Sequence, residues 1–446
     1  MNGTRDERIA SGVATVLAAA GALPAGPGPL EEVGHVLAAS ARGYFLPDED
    51  EAVRLRYMQY LAARSALLET LGALSDDARD GGDEESLPAF VVAFAAACVL
   101  ARAGRFVSNL AVAHPVLWKK LDEDDLRLGL PRKTFTRFYR ASVSPVTLAR
   151  FHAAVGFYRS RRPEISGLSA DPLLAPVLRL LDEEEPWMED RRRDAVKRHL
   201  AYRVYSFRRR HRSVWRQVMF GLFEAAGTAI ADLHQPGVKP VGAPKRLAPN
   251  LRAELLAHLH PGDVCITRHD DALSNLFLPG FWPHAALHLG TMAERQALGA
   301  LVPTGGADPV RFLESKKDGV RFRAAEETLA VDACLVLRPP LVAADLAAAL
   351  DRATEHEGKP YDFLFDFRTS DRLACTEVIY RGFHGIGPVS FRLKEVSGRL
   401  CLPAESLLDQ ALACGFRVVA STGIGGNPLL LGTAAAEAAG ATRRGI

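Results

Sequence analysis

The sequence lacks the cysteine patterns that mark a disulfide framework or a zinc ribbon. Its 446 residues contain six cysteines, with no CxxC pair and no regular spacing among them. Disulfide-rich scaffolds and structural zinc sites place cysteines at short, recurring intervals. The spacing argues against both classes and suits a reducing compartment. The six are Cys98, Cys265, Cys334, Cys375, Cys401 and Cys414.

A strong net charge and a long apolar run are also absent. The formal net charge is +2 at pH 7, which gives no reason to expect a nucleic-acid partner. The longest apolar run, residues 89–101, falls short of a membrane span and indicates a buried helix. Residues 1–8 mix acidic and basic side chains, unlike the start of a secretory signal. We therefore expect a cytoplasmic protein, although the alanine-rich residues 12–23 leave secretion open.

The first half of the chain is typical of a helical domain. In residues 6–233, apolar residues recur at spacings of three and four, which is the period of an amphipathic helix. A stretch rich in proline and glycine follows. We predict a helical N-terminal domain over residues 1–233, a linker over 234–250, a second domain over 251–421 and a flexible tail over 422–446.

A basic segment runs from Arg191 to Arg216, just before the linker. It combines arginine clusters with tryptophan and phenylalanine and leads into an apolar run. Such a helix can lie on an anionic membrane surface, so peripheral membrane contact is one interpretation. We favour the alternative of a solvated helix face whose arginines pair with the acidic residues 182–185 and 189–190. Nucleic-acid binding ranks lower, because the segment belongs to no recognised module.

The pattern changes after His260. Short runs rich in β-branched and aromatic residues, bounded by glycine, proline and aspartate, are typical of strands. Helix patterns are grouped with these runs and do not alternate strictly with them, which indicates an α+β fold. The strand-like runs are residues 264–267, 284–290, 310–314, 320–323 and 333–338.

Residues 358–380 give the clearest chemical signal. Ser370 and Asp371 are good helix-capping residues, and the sequence that follows predicts a short helix ending near Gly385. Cys375 then lies in or near the first turn, where unpaired N–H groups and the helix dipole favour a thiolate. With an imidazole within reach, such a cysteine is a nucleophile. Without one, it is more often a small buried hydrophobic residue.

Candidate partners for this cysteine lie upstream. His284 and His288 are separated by an even number of residues, so they point to the same face of a strand. Either histidine alone fits a buried structural residue. A later strand contains Glu314, while Asp263 follows a glycine in a tight turn and is expected to stabilise that turn.

Together these features resemble the permuted branch of the NlpC/P60 cysteine hydrolases, often described as YiiX/YebB-like, over roughly residues 259–420. The shared pattern is a Gly-Asp turn, an aromatic-x-His strand ending in Gly, a Glu before Gly-Val, a Gly-Lys-Pro-Tyr-Asp-Phe segment and a Cys-x-Glu helix. Two positions depart from it: Thr376 replaces the usual serine, and Pro283 precedes the histidine. The blocks lie at residues 262–263, 282–290, 314–320, 358–363 and 375–379.

The resemblance implies an α+β architecture in which an all-helical N-terminal region precedes a circularly permuted papain-like domain. That domain has an antiparallel sheet and a cysteine-bearing helix. The implied nucleophile is Cys375, and His284 is the implied general base. Glu314 would orient the imidazole. Tyr361 would donate, together with the Cys375 N–H, to a developing oxyanion.

These residues predict a cysteine hydrolase or acyltransferase that cleaves an amide, ester or thioester through an acyl-cysteine intermediate. Such chemistry requires neither a metal nor an organic cofactor. The fold does not specify the substrate, so small-molecule, peptide and lipid-like amides or esters stay open, as does the oligomeric state. The alternative is a catalytically inactive binding or scaffold protein, associated with membrane surfaces through the basic segment. The retained cysteine, histidine and glutamate argue against that alternative.

Overall fold

The computed structural model describes residues 4–23, 31–75, 77, 84–125, 129–185, 188, 244–270, 281–301, 310–396, 398–424 and 428–442. The chain divides into two compact units, Met1–Ser213 and Val214–Ile446. The basic segment over 191–216 and most of the linker predicted over 234–250 lie outside the described residues. Membrane contact and the exact domain boundaries therefore stay predictions.

The first unit is helical, as the apolar periodicity predicts. Its first helix begins with a capping box in which the Glu7 carboxylate accepts from the Thr4 N–H at 2.8 Å. The helices are α1 (Arg5–Ala22), α2 (Glu31–Arg42), α3 (Pro47–Leu74), α4 (Leu87–Ala113), α5 (Pro115–Leu121), α6 (Thr134–Ser142), α7 (Pro145–Ser160), α8 (Arg162–Gly167) and α9 (residues 175–185).

Helix α4 is the apolar centre of this unit and packs against α1 and α3. Among the described helices it alone is long and apolar enough to cross a membrane, with a mean hydropathy of 1.9 over its most apolar window. However, 61% of that window is buried within the protein. Length and composition are therefore weak evidence for a span, because the core helix of a folded domain passes the same test.

The second unit is built on an antiparallel sheet of seven strands in the order β4-β3-β2-β1-β5-β8-β9. Strands β6 and β7 form a separate hairpin. The strands are β1 (Val264–Arg268), β2 (His284–His288), β3 (Val310–Lys316), β4 (Gly319–Ala324), β5 (Ala333–Arg338), β6 (Lys394–Val396), β7 (Arg399–Cys401), β8 (Arg417–Thr422) and β9 (Leu430–Leu431).

Helices cover both faces of this sheet. Neighbouring residues of the central strands point to opposite sides, so each face forms a core with the helices that cover it. In β1, Val264 and Ile266 pack into one core with residues of the helix that begins at Cys375, whereas Cys265 joins the opposite core with Leu255. The helices are α10 (Pro249–Leu256), α11 (Met292–Leu298), α12 (Ala325–Thr328), α13 (Ala343–Thr354), α14 (Cys375–Phe383), α15 (Ala404–Ala413) and α16 (Gly432–Ala441). The two contrasting units confirm the predicted α+β class.

The C-terminal segment differs from the flexible tail predicted over residues 422–446. The structure places β9 and α16 there, and β9 pairs with β8. Ala435 and Ala439 of α16 are buried. The sequence suggested mobility because glycine and alanine dominate the segment. Small side chains also allow a helix to approach a sheet closely, and that is the outcome here.

The predicted turn before β1 depends on Asp263, which is fully buried. Its carboxylate accepts from the His260 N–H at 2.8 Å and from two nitrogens of Arg338 at 2.9 and 2.7 Å. Such bidentate arginine–carboxylate contacts are among the stronger hydrogen bonds. The turn-stabilising role expected for Asp263 is confirmed.

A buried ion pair fixes the helix that contains Cys375. Arg381 donates to the Glu377 carboxylate at 2.8 Å, and neither side chain is more than 3% exposed. Arg381 also donates to the carbonyls of Thr369 and Phe367 in the preceding loop. Burial raises the pKa of Glu377, while the charge of Arg381 opposes that shift. The pair therefore ties α14 to the loop before it.

We expect Arg381→Met to lower the free energy of unfolding by about 3 to 5 kcal/mol, because it leaves the Glu377 carboxylate buried without its cation. Urea denaturation of the full chain measures this change. The double variant Glu377→Leu/Arg381→Met should recover most of the loss, since no buried charge is then left unpaired. Arg417→Met, at an exposed arginine, is the control. A loss below 1 kcal/mol in Arg381→Met would contradict the role given to this pair.

Candidate active site

Cys375 is the first residue of α14, as predicted, and its side chain is nearly buried. The backbone N–H groups of Thr376 and Ala285 favour the charged form of its sulfur. Burial alone would raise the pKa of the Cys375 thiol. The positive charge and hydrogen bond of His284, with these two N–H groups, instead lower it below its ordinary value. The surroundings of the sulfur therefore favour a thiolate.

The capping residues predicted for this helix are wrong. The N-cap is Ala374, and Ser370 and Asp371 lie further upstream as buried loop residues. The N-terminal contact comes from within the helix, where the Glu377 carboxylate accepts from the Ala374 N–H at 3.4 Å. Asp371 and Ser370 suit capping by residue type, but the path of the loop places the start of the helix beyond them.

His284 is the first residue of β2 and lies between Cys375 and Glu314. Its Nε2 is 2.8 Å from Glu314 Oε2, which leaves Nδ1 for the thiol. Burial opposes a charged imidazole, but the sulfur and the carboxylate together raise the pKa of His284 to about 9. The three side chains therefore form one hydrogen-bonded series: sulfur, imidazole and carboxylate.

Glu314 lies on β3 and has more partners than the sequence suggested. Its second oxygen accepts from Thr328 at 2.9 Å and lies 2.7 Å from the Lys316 ammonium and 3.3 Å from Arg323. Burial would raise the pKa of Glu314, yet His284 and Lys316 lower it to about 2. The carboxylate is therefore held in its charged form and in one orientation.

Tyr361 lies in the loop before α14. It forms a bridge with Leu373, two residues before Cys375, and its ring packs edge-on against Phe363 at 4.9 Å. Burial raises the pKa of the Tyr361 phenol, and the nearby charge of Cys375 raises it further. The hydroxyl group is thus kept protonated, which is the form that can donate a hydrogen bond.

Several hydrogen bonds hold this loop in position. Asp362 accepts from the N–H groups of Leu364 at 2.9 Å and Asp366 at 2.7 Å. At the start of the loop, the Val320 N–H donates to the Lys359 carbonyl at 2.8 Å. Gly319 has a φ of +95°, and a Cβ there would lie 2.4 Å from that same carbonyl oxygen. The Gly-Val pair thus allows β4 to approach the loop closely.

The other histidines have different surroundings. His288 donates from Nδ1 to the His260 carbonyl at 2.9 Å, which fits the structural role expected for it. His269 was not predicted as a site residue, yet the charge of His284 acts on it. Burial and the charges of Lys245, His284 and Lys316 lower the pKa of His269 to about 4. It therefore adds a neutral imidazole beside the site.

The arrangement can therefore generate a nucleophilic thiolate next to an imidazolium. Cys375, His284, Glu314 and Tyr361 lie near one another, although they come from different elements. The sequence missed Lys316, Thr328 and Arg323, whose contacts depend on strand register. In the described ranges, no group of three or more His, Cys, Asp or Glu side chains is placed to hold a metal ion.

Comparison with known proteins gave a family match within the second unit. Residues 258–402 match the model of a family described as a permuted papain-like amidase enzyme, YaeF/YiiX, C92 family. No curated protein and no solved structure matches the chain. The match includes the four predicted site residues, and it supports a cysteine hydrolase-type function. Residues 258–402 are thus similar to the permuted papain-like YaeF/YiiX amidase family, which agrees with the resemblance predicted from the sequence motifs.

Proposed function

We propose that the protein is a cysteine hydrolase or acyltransferase that cleaves an amide, ester or thioester through an acyl-cysteine intermediate. The observation that supports this most directly is the Cys375–His284–Glu314 series at the start of α14. Within it the thiol pKa is lowered and the imidazole pKa is raised. Opposite shifts in two adjacent groups favour a thiolate–imidazolium pair near neutral pH.

In the first step, the Cys375 thiolate attacks the substrate carbonyl carbon and forms a tetrahedral intermediate. The Tyr361 hydroxyl and the Cys375 N–H donate to its oxyanion. The His284 imidazolium then protonates the leaving nitrogen, oxygen or sulfur, and the bond to the leaving group breaks. The products of this step are the free leaving group, an acyl-cysteine and a neutral imidazole.

In the second step, neutral His284 takes a proton from water while the water oxygen attacks the acyl-cysteine. The Cys375 thiolate leaves and the acid is released. The thiolate–imidazolium pair is then restored for the next cycle. If an amine or alcohol replaces water, the same steps transfer the acyl group. Throughout, Glu314 stabilises the imidazolium, and its contacts with Lys316, Thr328 and Arg323 prevent it from turning away.

The first prediction concerns the reactivity of Cys375 towards iodoacetamide. We expect alkylation well below pH 8.5, the region where a free thiol ionises, because His284 stabilises the thiolate. In His284→Ala the imidazolium charge is lost while burial still opposes the thiolate, so the rate at pH 6 to 7 should fall by roughly ten-fold or more. Peptide mapping follows each cysteine separately, with Cys375→Ala confirming the assignment.

The control is His258→Ala, which removes an exposed histidine and should leave the rate unchanged. The thiolate–imidazolium pair exists above the lowered thiol pKa and is lost as pH rises through about 9, where His284 deprotonates. Hydrolysis should therefore decline near that pH. If Cys375 reacts no faster than the other five cysteines, the enzyme proposal fails and the inactive binding protein becomes the better interpretation.

A second prediction separates Tyr361 from Glu314, with p-nitrophenyl acetate as a simple activated ester. Tyr361→Phe should lower kcat by about 100-fold, the usual cost of one oxyanion donor. It should leave alkylation by iodoacetamide nearly unchanged, because alkylation forms no oxyanion. Glu314→Gln should lower both rates, because an uncharged partner no longer stabilises the imidazolium. Equal effects of Tyr361→Phe on the two reactions would argue against an oxyanion role.

A further inference from the structure

The first unit contains a cavity that the proposed hydrolase does not use. It has a volume of about 310 Å³ and lies among α1, α2, α3, α4 and α5. The cavity is partly open to solvent, between helices that are otherwise densely packed. The volume lies at the small end of known ligand pockets, roughly 300–1,000 Å³.

The walls of the cavity are mainly apolar. Buried Val36, Val53 and Leu117 contribute aliphatic surface. The rings of Tyr57 and Tyr60 add aromatic surface and stack with 6.3 Å between their centroids. Apolar cavities stay dry and accept apolar molecules, and one of about 150 Å³ holds benzene. By that comparison, this cavity suits roughly ten to twelve carbon atoms.

The cavity lining also contains polar groups, both at the exposed side and in the buried part. Arg56 and Gln59 line the cavity, both are exposed, and Arg56 donates to Gln59 at 3.0 Å. Inside, the Tyr57 hydroxyl group is buried, and the described part of the chain offers it no hydrogen-bond partner. An unpaired buried hydroxyl group costs stability, so this wall is not optimised for stability alone. The Arg56 guanidinium carries several N–H donors at the exposed side of the cavity, and such a group can bind an anionic ligand group besides its other partners.

We propose that this cavity binds a medium-chain carboxylate of about ten to twelve carbons. The apolar chain fills the space between α2, α3 and α5, and the carboxylate stays at the surface beside Arg56. Burial of the chain supplies most of the affinity, because the removal of apolar surface from water is the main driving force of such binding. The site is independent of the Cys375 chemistry, and either proposal can fail without the other.

Isothermal titration calorimetry with the full chain tests this proposal, with sodium decanoate and 1-decanol as probes. Both probes should bind, decanoate more tightly. Arg56→Gln should weaken decanoate binding by roughly three- to five-fold, the usual range for one exposed ion pair, and leave 1-decanol unchanged. Arg161→Gln removes the same charge away from the cavity and is the matched control.

Two variants fill the space itself. Val107→Trp and Ala22→Phe each place a larger side chain at the cavity and should weaken both probes by ten-fold or more. Ala22 is exposed, so its variant is not expected to disturb the core. The control Val146→Trp adds the same ring at an exposed valine outside the cavity. Decanoate binding that survives in both filled variants, or no binding to the wild type, would overturn the proposal.

Discussion

The Glu314 carboxylate is the interaction on which the candidate site depends. It is buried on β3, where an unpaired charge would be costly, and four partners from four elements compensate for its burial. One oxygen is taken by Lys316, Thr328 and Arg323, so the other is presented to His284. In the proposed mechanism the carboxylate orients the imidazole, and the imidazole favours the charged form of Cys375. Strand β3 thus positions the Glu314 carboxylate, on which the proposed thiolate–imidazolium pair depends.

The loop between α13 and α14 is the second constraint. It must bring Tyr361 close to the sulfur, and contacts from several directions hold it there. Ser315 on β3 donates to the Leu373 carbonyl at 2.7 Å, and Arg381 donates to the Thr369 carbonyl from the helix. Gly319 allows the backbone of β4 to reach the start of the same loop. A rigid sheet and a buried helix thereby fix a loop whose own sequence has little regular structure.

The central strands and the start of the Cys375 helix could be predicted, because the local sequence determines them. The strand-like runs became β1 to β5, since alternation and β-branched residues indicate a pleated, buried surface. Cys375 begins a helix, as its position after a loop suggested. The helix caps expected at Ser370 and Asp371 were wrong, and the segment after residue 422, predicted as a flexible tail, contains β9 and α16. In each case residue type gave a tendency, and packing against the sheet decided the outcome.

The sequence by itself determined which residues are chemically suited to the site, because a thiol, an imidazole, a carboxylate and a phenol are visible as residue types in a characteristic order. Tertiary structure alone decided how these groups ionise. Burial by itself would raise the pKa of Cys375 and lower that of His284. The charge and hydrogen bond of His284 instead lower the pKa of Cys375, and Cys375 and Glu314 raise that of His284, and no local pattern contains those contacts. The cavity among α1 to α5 has the same origin, because it is formed by side chains far apart in the chain.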